Sequence, residues 1–140
     1  MKRNYGKRLL FFFFFAAVVS GFCGCGKEGE EIKKIRDLEY TVMEEGEIPE
    51  ELLLKVKEKW QSPFTMTYES DGYFYIARGY GTQATSGYSV RVLSVYEAEE
   101  GIVFQSELLG PERTEAVLQI ETYPYIVIKL FSIGKELIFR

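Results

Sequence analysis

The fold is decided by the stretch Phe64-Thr65-Met66-Thr67-Tyr68-Glu69-Ser70-Asp71-Gly72-Tyr73-Phe74-Tyr75-Ile76-Ala77. Its first half alternates apolar and polar residues, which is typical of a strand with one buried face. Asp71-Gly72 predicts a tight hairpin turn. The apolar run after the turn predicts a return strand that is buried on both faces. We therefore expect a β-hairpin whose second strand lies in the middle of a sheet covered on each side.

A single helix is predicted just before this hairpin. Pro49 supplies the backbone angle favoured in the first helical turn, and Ser62-Pro63 ends the helix. The apolar residues of the helix recur at the spacing of one helical face: Leu52, Leu53, Val56 and Trp60. We expect this face to cover one side of the sheet.

Further strand patterns lie on both sides of the hairpin. They are Leu38–Val42, Tyr88–Tyr96, Ile102–Leu108, Tyr125–Phe131 and Leu137–Phe139. Together with the helix they predict an α+β fold, in a single small domain that spans residues 37–140. The expected architecture is an antiparallel sheet or partly closed barrel of about six to seven strands with one packed α-helix.

The N-terminal segment has the pattern of an export signal. Met1–Arg8 is basic, Leu9–Val19 is apolar throughout, and small residues lead to Gly24-Cys25. The apolar run is shorter than the roughly 20 residues that a helix needs to cross a membrane. Its exit resembles the bacterial lipobox, with Cys25 as the lipidated residue. Cys23 fits less well, because the bulky Phe22 precedes it.

These features divide the N-terminal part into a lipoprotein signal peptide, residues 1–24, and a charged flexible tether, residues 25–36. The mature chain is expected to be exported and held on the extracytoplasmic face of the cell membrane by lipid on Cys25. Cleavage as an ordinary signal without lipidation remains an alternative. Loss of the four basic leader residues changes the net charge from −4 to −8, which argues against nucleic acid as a partner.

Composition gives little support to an enzyme. The chain has no histidine, which removes the commonest general base and the His-based metal sites. The acid pairs Glu44-Glu45, Glu50-Glu51 and Glu99-Glu100 are adjacent in sequence, so their side chains point in different directions. We expect no catalytic residue, no metal and no cofactor, and keep a carboxylate-dependent enzyme as the least favoured alternative.

Gly79-Tyr80-Gly81-Thr82-Gln83-Ala84 fits the letters of the dinucleotide fingerprint. That fingerprint requires a helix to begin there, whereas the residues after it alternate like a strand, so we exclude a nucleotide. The segment instead predicts a protein-binding loop that exposes backbone and tyrosine rings: Gly79, Tyr80, Gly81, Thr85, Ser86, Gly87 and Tyr88. A purely structural role for these tyrosines and glycines is an equal alternative.

The same loop is part of a resemblance to a known family. Four short motifs between Phe64 and Leu130 carry it: Tyr80-Gly81, Thr85-Ser86-Gly87-Tyr88-Ser89-Val90, Gly110-Pro111 and Thr122-Tyr123-Pro124-Tyr125. Their order resembles the C-terminal domain of the PrcB family, small bacterial lipoproteins grouped with a surface protease complex. The family pattern reads Thr-Gly-Gly-Tyr, so Ser86 departs from it. Tyr123, Pro124 and Tyr125 form a second candidate site motif.

The resemblance implies a non-catalytic accessory subunit that binds and stabilises a protease complex outside the cell. An alternative is a protease inhibitor, since Thr85-Ser86-Gly87-Tyr88 before a strand is similar to an exposed loop of chagasin-like inhibitors. Those inhibitors carry a further tryptophan loop, whereas Trp60 here ends the predicted helix.

Overall fold

A computed structural model describes residues 31–138 of the chain. Within this range the chain forms two four-stranded sheets, one α-helix and one short 3₁₀ helix. The elements, in chain order, are β1 Lys34–Asp37, β2 Thr41–Val42, the 3₁₀ helix Glu45–Glu47, α1 Glu50–Lys59, β3 Pro63–Ser70, β4 Tyr73–Tyr80, β5 Ser89–Ala98, β6 Ile102–Leu109, β7 Tyr125–Phe131 and β8 Leu137–Ile138.

The predicted hairpin is confirmed as β3 and β4. The two strands pair without interruption from Pro63 opposite Tyr80 to Ser70 opposite Tyr73. Both turn residues have positive φ, 52° at Asp71 and 82° at Gly72. This is the backbone twist that matches the twist of two paired strands, and aspartate followed by glycine adopts it most readily.

β4 is the central strand of its sheet, as its apolar sequence predicted. The strand order is β2-β7-β4-β3, and every residue from Phe74 to Ala77 is buried. On one face Tyr75 and Ala77 pack with Leu52 and Val56 of α1. The helix therefore covers this face, with the apolar stripe predicted for it.

The opposite face of β4 packs against the second sheet. Phe74 and Ile76 form a core with Ile128 of β7 and with Val95 and Ile102 of the second sheet. α1, the first sheet and the second sheet thus form three layers around two apolar cores. Burial of side chains such as Ile76 and Ile102, which are 0% exposed, contributes about 1.5–3 kcal/mol for each residue.

The second sheet has the order β1-β5-β6-β8. β5 and β6 form the predicted antiparallel pair, with a bulge between Val92 and Ser94. β8 pairs with β6 in parallel, so the sheets are not antiparallel throughout. The α+β class is confirmed, with eight described strands in two sheets where an antiparallel sheet or partly closed barrel of about six to seven strands was expected.

The N-terminal part of the domain differs from expectation. Residues 34–36, assigned to the tether from sequence, belong to β1, which pairs with β5. Of the strand predicted over Leu38–Val42, only Thr41 and Val42 form a strand, β2. Leu38 does not belong to it, because its N–H donates to the Val95 carbonyl of the other sheet at 3.0 Å. The predicted signal peptide and Cys25 lie outside the described residues. Between residues 31 and 138, no helix is long and apolar enough to cross a bilayer.

Candidate protein-binding site

The two segments predicted to carry function lie beside each other at one end of the fold. Residues 81–88, between β4 and β5, are called the glycine loop, and residues 110–124, between β6 and β7, are called the long loop. Gln83 and Thr122 form an antiparallel bridge, with N–H to carbonyl distances of 2.8 and 2.9 Å. The structure thus joins Thr85-Ser86-Gly87-Tyr88 to the loop that ends in Tyr123 and Pro124.

Side chains extend this bridge along both loops. The Thr122 hydroxyl donates to the Thr85 carbonyl at 2.7 Å. The Ser86 N–H donates to the Leu118 carbonyl at 3.0 Å, and the Leu118 N–H donates to the Ser86 hydroxyl oxygen at 2.8 Å. Each hydrogen bond of this kind contributes about 1 kcal/mol, and together they hold the two loops in one arrangement.

Ser86 therefore has a role that a glycine could not perform. The only non-glycine residue with positive φ between residues 31 and 138 is Asp71, so Ser86 adopts an ordinary backbone conformation. The departure from the Thr-Gly-Gly-Tyr pattern causes no backbone strain, and the serine hydroxyl adds a contact to Leu118.

Gly87 is required by the contact between the loops. Its φ is 95°, and a side chain there would meet Pro111 and Val117 of the long loop. Gly110 lies against the Tyr88 ring in the same way. The glycines therefore set how closely the loops approach.

The tyrosines of the two motifs are half-buried. The Tyr80 ring points between the sheets, where its hydroxyl lies 2.5 Å from the Ser106 hydroxyl. Tyr123 stacks on Trp60 at the end of α1, with ring centroids 4.9 Å apart and planes 9° apart. A binding role for the tyrosines of the glycine loop stays a prediction.

Tyr125 connects the second motif to the 3₁₀ helix. Its hydroxyl donates to the Glu45 carboxylate at 3.3 Å, and its ring lies 6.2 Å from that of Trp60. Burial, together with the nearby Glu45 charge, raises the pKa of Tyr125 to about 12. The phenol is therefore neutral and acts as a hydrogen-bond donor at physiological pH.

The exposed apolar residues of the site are ones that the sequence prediction omitted. Leu118 is 63% exposed and Ile120 is 53% exposed, both on the long loop, and Leu118 is hydrogen-bonded to Ser86. The same loop carries the acidic residues Glu112, Glu115 and Glu121. Apolar residues within a polar rim are the usual composition of a protein-binding patch. The apolar residues Val117, Leu118 and Ile120, close together in sequence, were the available signal.

The structure also addresses the other chemistry weighed from the sequence. No helix begins after Gly81, and β5 follows the glycine loop, so the geometry required for a pyrophosphate is missing there. The three acid pairs are exposed to solvent. In the described part of the chain no cluster of three or more metal-ligating side chains occurs.

Comparison with known proteins supports the resemblance seen in the sequence. Residues 74–130 match the family model described as PrcB C-terminal. The matched region begins in β4, contains both loops and ends in β7. No curated protein and no solved structure matches the chain.

Proposed function

We propose that this chain is a non-catalytic accessory subunit that binds a protein of a protease complex through its two joined loops. The observation that carries the proposal is that the PrcB C-terminal match and the exposed apolar patch of Leu118 and Ile120 lie on the same segment. Hydrogen bonds to Ser86 and Thr85 keep this patch in a fixed position before any partner arrives. Preorganisation of this kind lowers the entropic cost of association.

The exposure of the patch favours binding over a folding role alone. Leu118 and Ile120 remain in solvent, on the loop whose Tyr123 stacks on Trp60 at the end of α1. A side chain that serves only the core would be buried, and two exposed large aliphatic residues two positions apart on one hydrogen-bonded loop support a docking surface.

The proposal includes attachment of the chain to the membrane through lipid on Cys25. It is supported by the basic start, the apolar run and the Gly24-Cys25 exit of the N-terminal segment. Intact-mass analysis of the chain extracted from membranes tests this part. A chain that begins at Cys25 and carries a diacyl or triacyl adduct, lost in Cys25→Ser, is the expected result. An unmodified chain that retains Met1 would contradict it.

Substitution of the patch tests the binding function. In the full chain, Leu118→Asp with Ile120→Asp is expected to abolish co-purification of a defined protein partner from the native membrane fraction. Leu54→Asp is the matched control, because Leu54 on α1 is 57% exposed and distant from the loops in sequence. Retention of the partner by the double variant would contradict the proposed surface.

The inhibitor alternative predicts a different result for the same protein. An inhibitor would place Thr85-Ser86-Gly87-Tyr88 in the active site of a protease, yet in this structure Ser86 and Gly87 face the long loop. If micromolar chain inhibits cysteine proteases, and substitution of Gly87 removes the inhibition, the accessory-subunit proposal is replaced by the inhibitor.

A further inference from the structure

β3 and β6 each have a strand edge that borders one groove. Within residues 31–138, β3 pairs with β4 alone, and β6 pairs with β8 at Ile102 and Val103 alone, so the rest of each edge has no partner strand among the described residues. The groove has a volume of about 400 Å³ and is lined by residues of both sheets. This volume lies within the range of pockets that bind ligands.

The backbone of β6 offers unused hydrogen-bonding groups to this groove. The Ile102 N–H donates to the Glu136 carbonyl at 2.8 Å, on the side of β8. Because the direction of backbone groups alternates along a strand, those of Ser106 and Leu108 point to the same side. β5 pairs with β6 at those two positions on the opposite side, and within residues 31–138 no strand pairs with them on the side of β8. An extended peptide could therefore add there as a new strand.

Arg78 provides the charge of the groove. Its Nη1 atom donates to the Phe64 carbonyl at 3.3 Å and to the Thr65 hydroxyl at 3.0 Å. Its guanidinium lies 4.7 Å from the centre of the Tyr80 ring. These contacts fix the side chain, which is half-buried. In the described part of the chain, Nε and Nη2 have no hydrogen-bond acceptor.

Arg78 also differs from the other strand arginines in having no carboxylate partner. Arg36 pairs with Glu97 and Arg91 pairs with Glu107, whereas no described carboxylate lies within ion-pair distance of Arg78. None of the described residues that line the groove is acidic. A guanidinium presents its free N–H groups as a fork that matches a carboxylate, so the group that complements this site is an acidic side chain.

Apolar side chains line the part of the groove next to Arg78. Leu93, Phe104 and Leu137 line it, and Leu93 is 53% exposed at the β5 bulge. Alternate side chains of an added strand point to the same face. If an acidic residue of the added strand contacts Arg78, the residue two positions away in that strand therefore points towards these apolar side chains.

We propose that this groove binds an extended segment of a partner protein, which adds to the edge of β6 and places a carboxylate on Arg78 with an apolar residue two positions away. The statement that the segment comes from a partner protein rests on the proposed accessory function. The type of peptide that the groove binds does not rest on it, since it follows from Arg78, the apolar residues and the free edge alone.

Selection of displayed peptides tests the groove independently of any natural partner. Random peptides of about eight residues, the length of β6, are selected on the full chain in detergent micelles. Enriched sequences are expected to share one acidic residue with an apolar residue two positions away. Arg78→Gln is expected to weaken a selected peptide at least about tenfold, as loss of a charge-assisted contact implies, while Arg91→Gln leaves its affinity unchanged.

A second pair of variants keeps the test decisive if Arg78→Gln does not fold. Leu93→Glu adds a negative charge at an exposed position of the groove and is expected to repel the acidic peptide, whereas Leu54→Glu is not. Failure to enrich peptides, enrichment without an acidic residue, or equal binding by Leu93→Glu would overturn the proposal. A dimer of the chain that Arg78→Gln dissociates would also overturn it, by placing a second copy in the groove.

The two proposals fail in distinguishable ways. If peptides bind at the groove, but Leu118→Asp with Ile120→Asp does not affect recovery of the partner, the groove proposal stands and the loop surface is rejected. Loss of the partner in those loop variants, with no enriched peptide, would do the reverse.

Discussion

Ser86 and Leu118 are joined by two hydrogen bonds, one between their backbones and one to the Ser86 side chain. The Ser86 N–H donates to the Leu118 carbonyl at 3.0 Å, while the Leu118 N–H donates to the Ser86 hydroxyl at 2.8 Å. The residues are far apart in sequence, so the pair defines how the glycine loop meets the long loop. It also fixes the position of an exposed leucine, which is the centre of the proposed binding patch.

Removal of the serine hydroxyl is expected to loosen this contact without unfolding the domain. Ser86→Ala should lower the free energy of unfolding by about 1 kcal/mol, because one hydrogen bond to a backbone N–H is lost. Hydrogen exchange of the Leu118 amide should become faster. Ser89→Ala, at an exposed serine of β5, is the control. Unchanged Leu118 exchange in Ser86→Ala would show that the hydroxyl does not hold the loop.

Stacking of Trp60 on Tyr123 is expected to stabilise the base of the long loop. A double-mutant cycle with Trp60→Leu and Tyr123→Leu should give a coupling energy of about 0.5–1.5 kcal/mol, measured by denaturant unfolding. Trp60→Leu and Tyr96→Leu should be additive, since Tyr96 lies on β5 in the second sheet. A coupling energy of zero between Trp60 and Tyr123 would contradict the stacked geometry.

Gly79 is expected to be the least replaceable glycine of the site. An alanine Cβ would overlap the Phe64 ring, which is buried under α1. Gly79→Ala should destabilise the domain by about 1–3 kcal/mol, the cost of overpacking a core. Gly46→Ala is the matched control, because nothing lies within 4 Å of a Cβ there. Equal thermal stability of the two variants would show that the approach of β4 to Phe64 is looser than described.

Alkaline pH is expected to destabilise the domain through Tyr125. The unfolded tyrosine ionises near pH 10, whereas burial and Glu45 raise the folded pKa to about 12. Between these values the unfolded chain releases its proton first, so this stabilisation is complete below about pH 10 and is lost as the pH rises towards 12. Tyr125→Phe should remove this part of the pH dependence of unfolding. Glu45→Gln should lower the folded pKa only in part, because burial is the larger cause.

The hairpin, the helix and the class of the fold could be predicted because their signals are local. Asp71-Gly72 specifies its own turn, and the apolar stripe of α1 follows from helical spacing. β1 could not be predicted, because its charged residues are placed by partners distant in sequence, such as Glu97 for Arg36. The strand over Leu137–Phe139 could be predicted and is observed as β8, but its parallel pairing with β6 could not, because no local pattern specifies it.

The positions of the two loops could be predicted from the sequence, whereas their contacts could not. Glycine spacing located both loops, and the structure joins them at Gln83 and Thr122. The inward direction of Tyr80 depends on Ser106 in the other sheet, which no pattern in the loop reveals. Leu118 and Ile120 were missed because the sequence of an irregular loop does not show whether its apolar side chains are buried or exposed.

Site-specific photo-crosslinking from position 118 of the full chain, in intact cells, tests directly whether the patch of Leu118 and Ile120 binds a partner. One discrete adduct that contains a component of a protease complex is expected, with none from the control position 54 on α1. The adduct should disappear when Ile120→Asp is added. Absence of any adduct at position 118, or the same products at both positions, would show that this patch is not a binding surface.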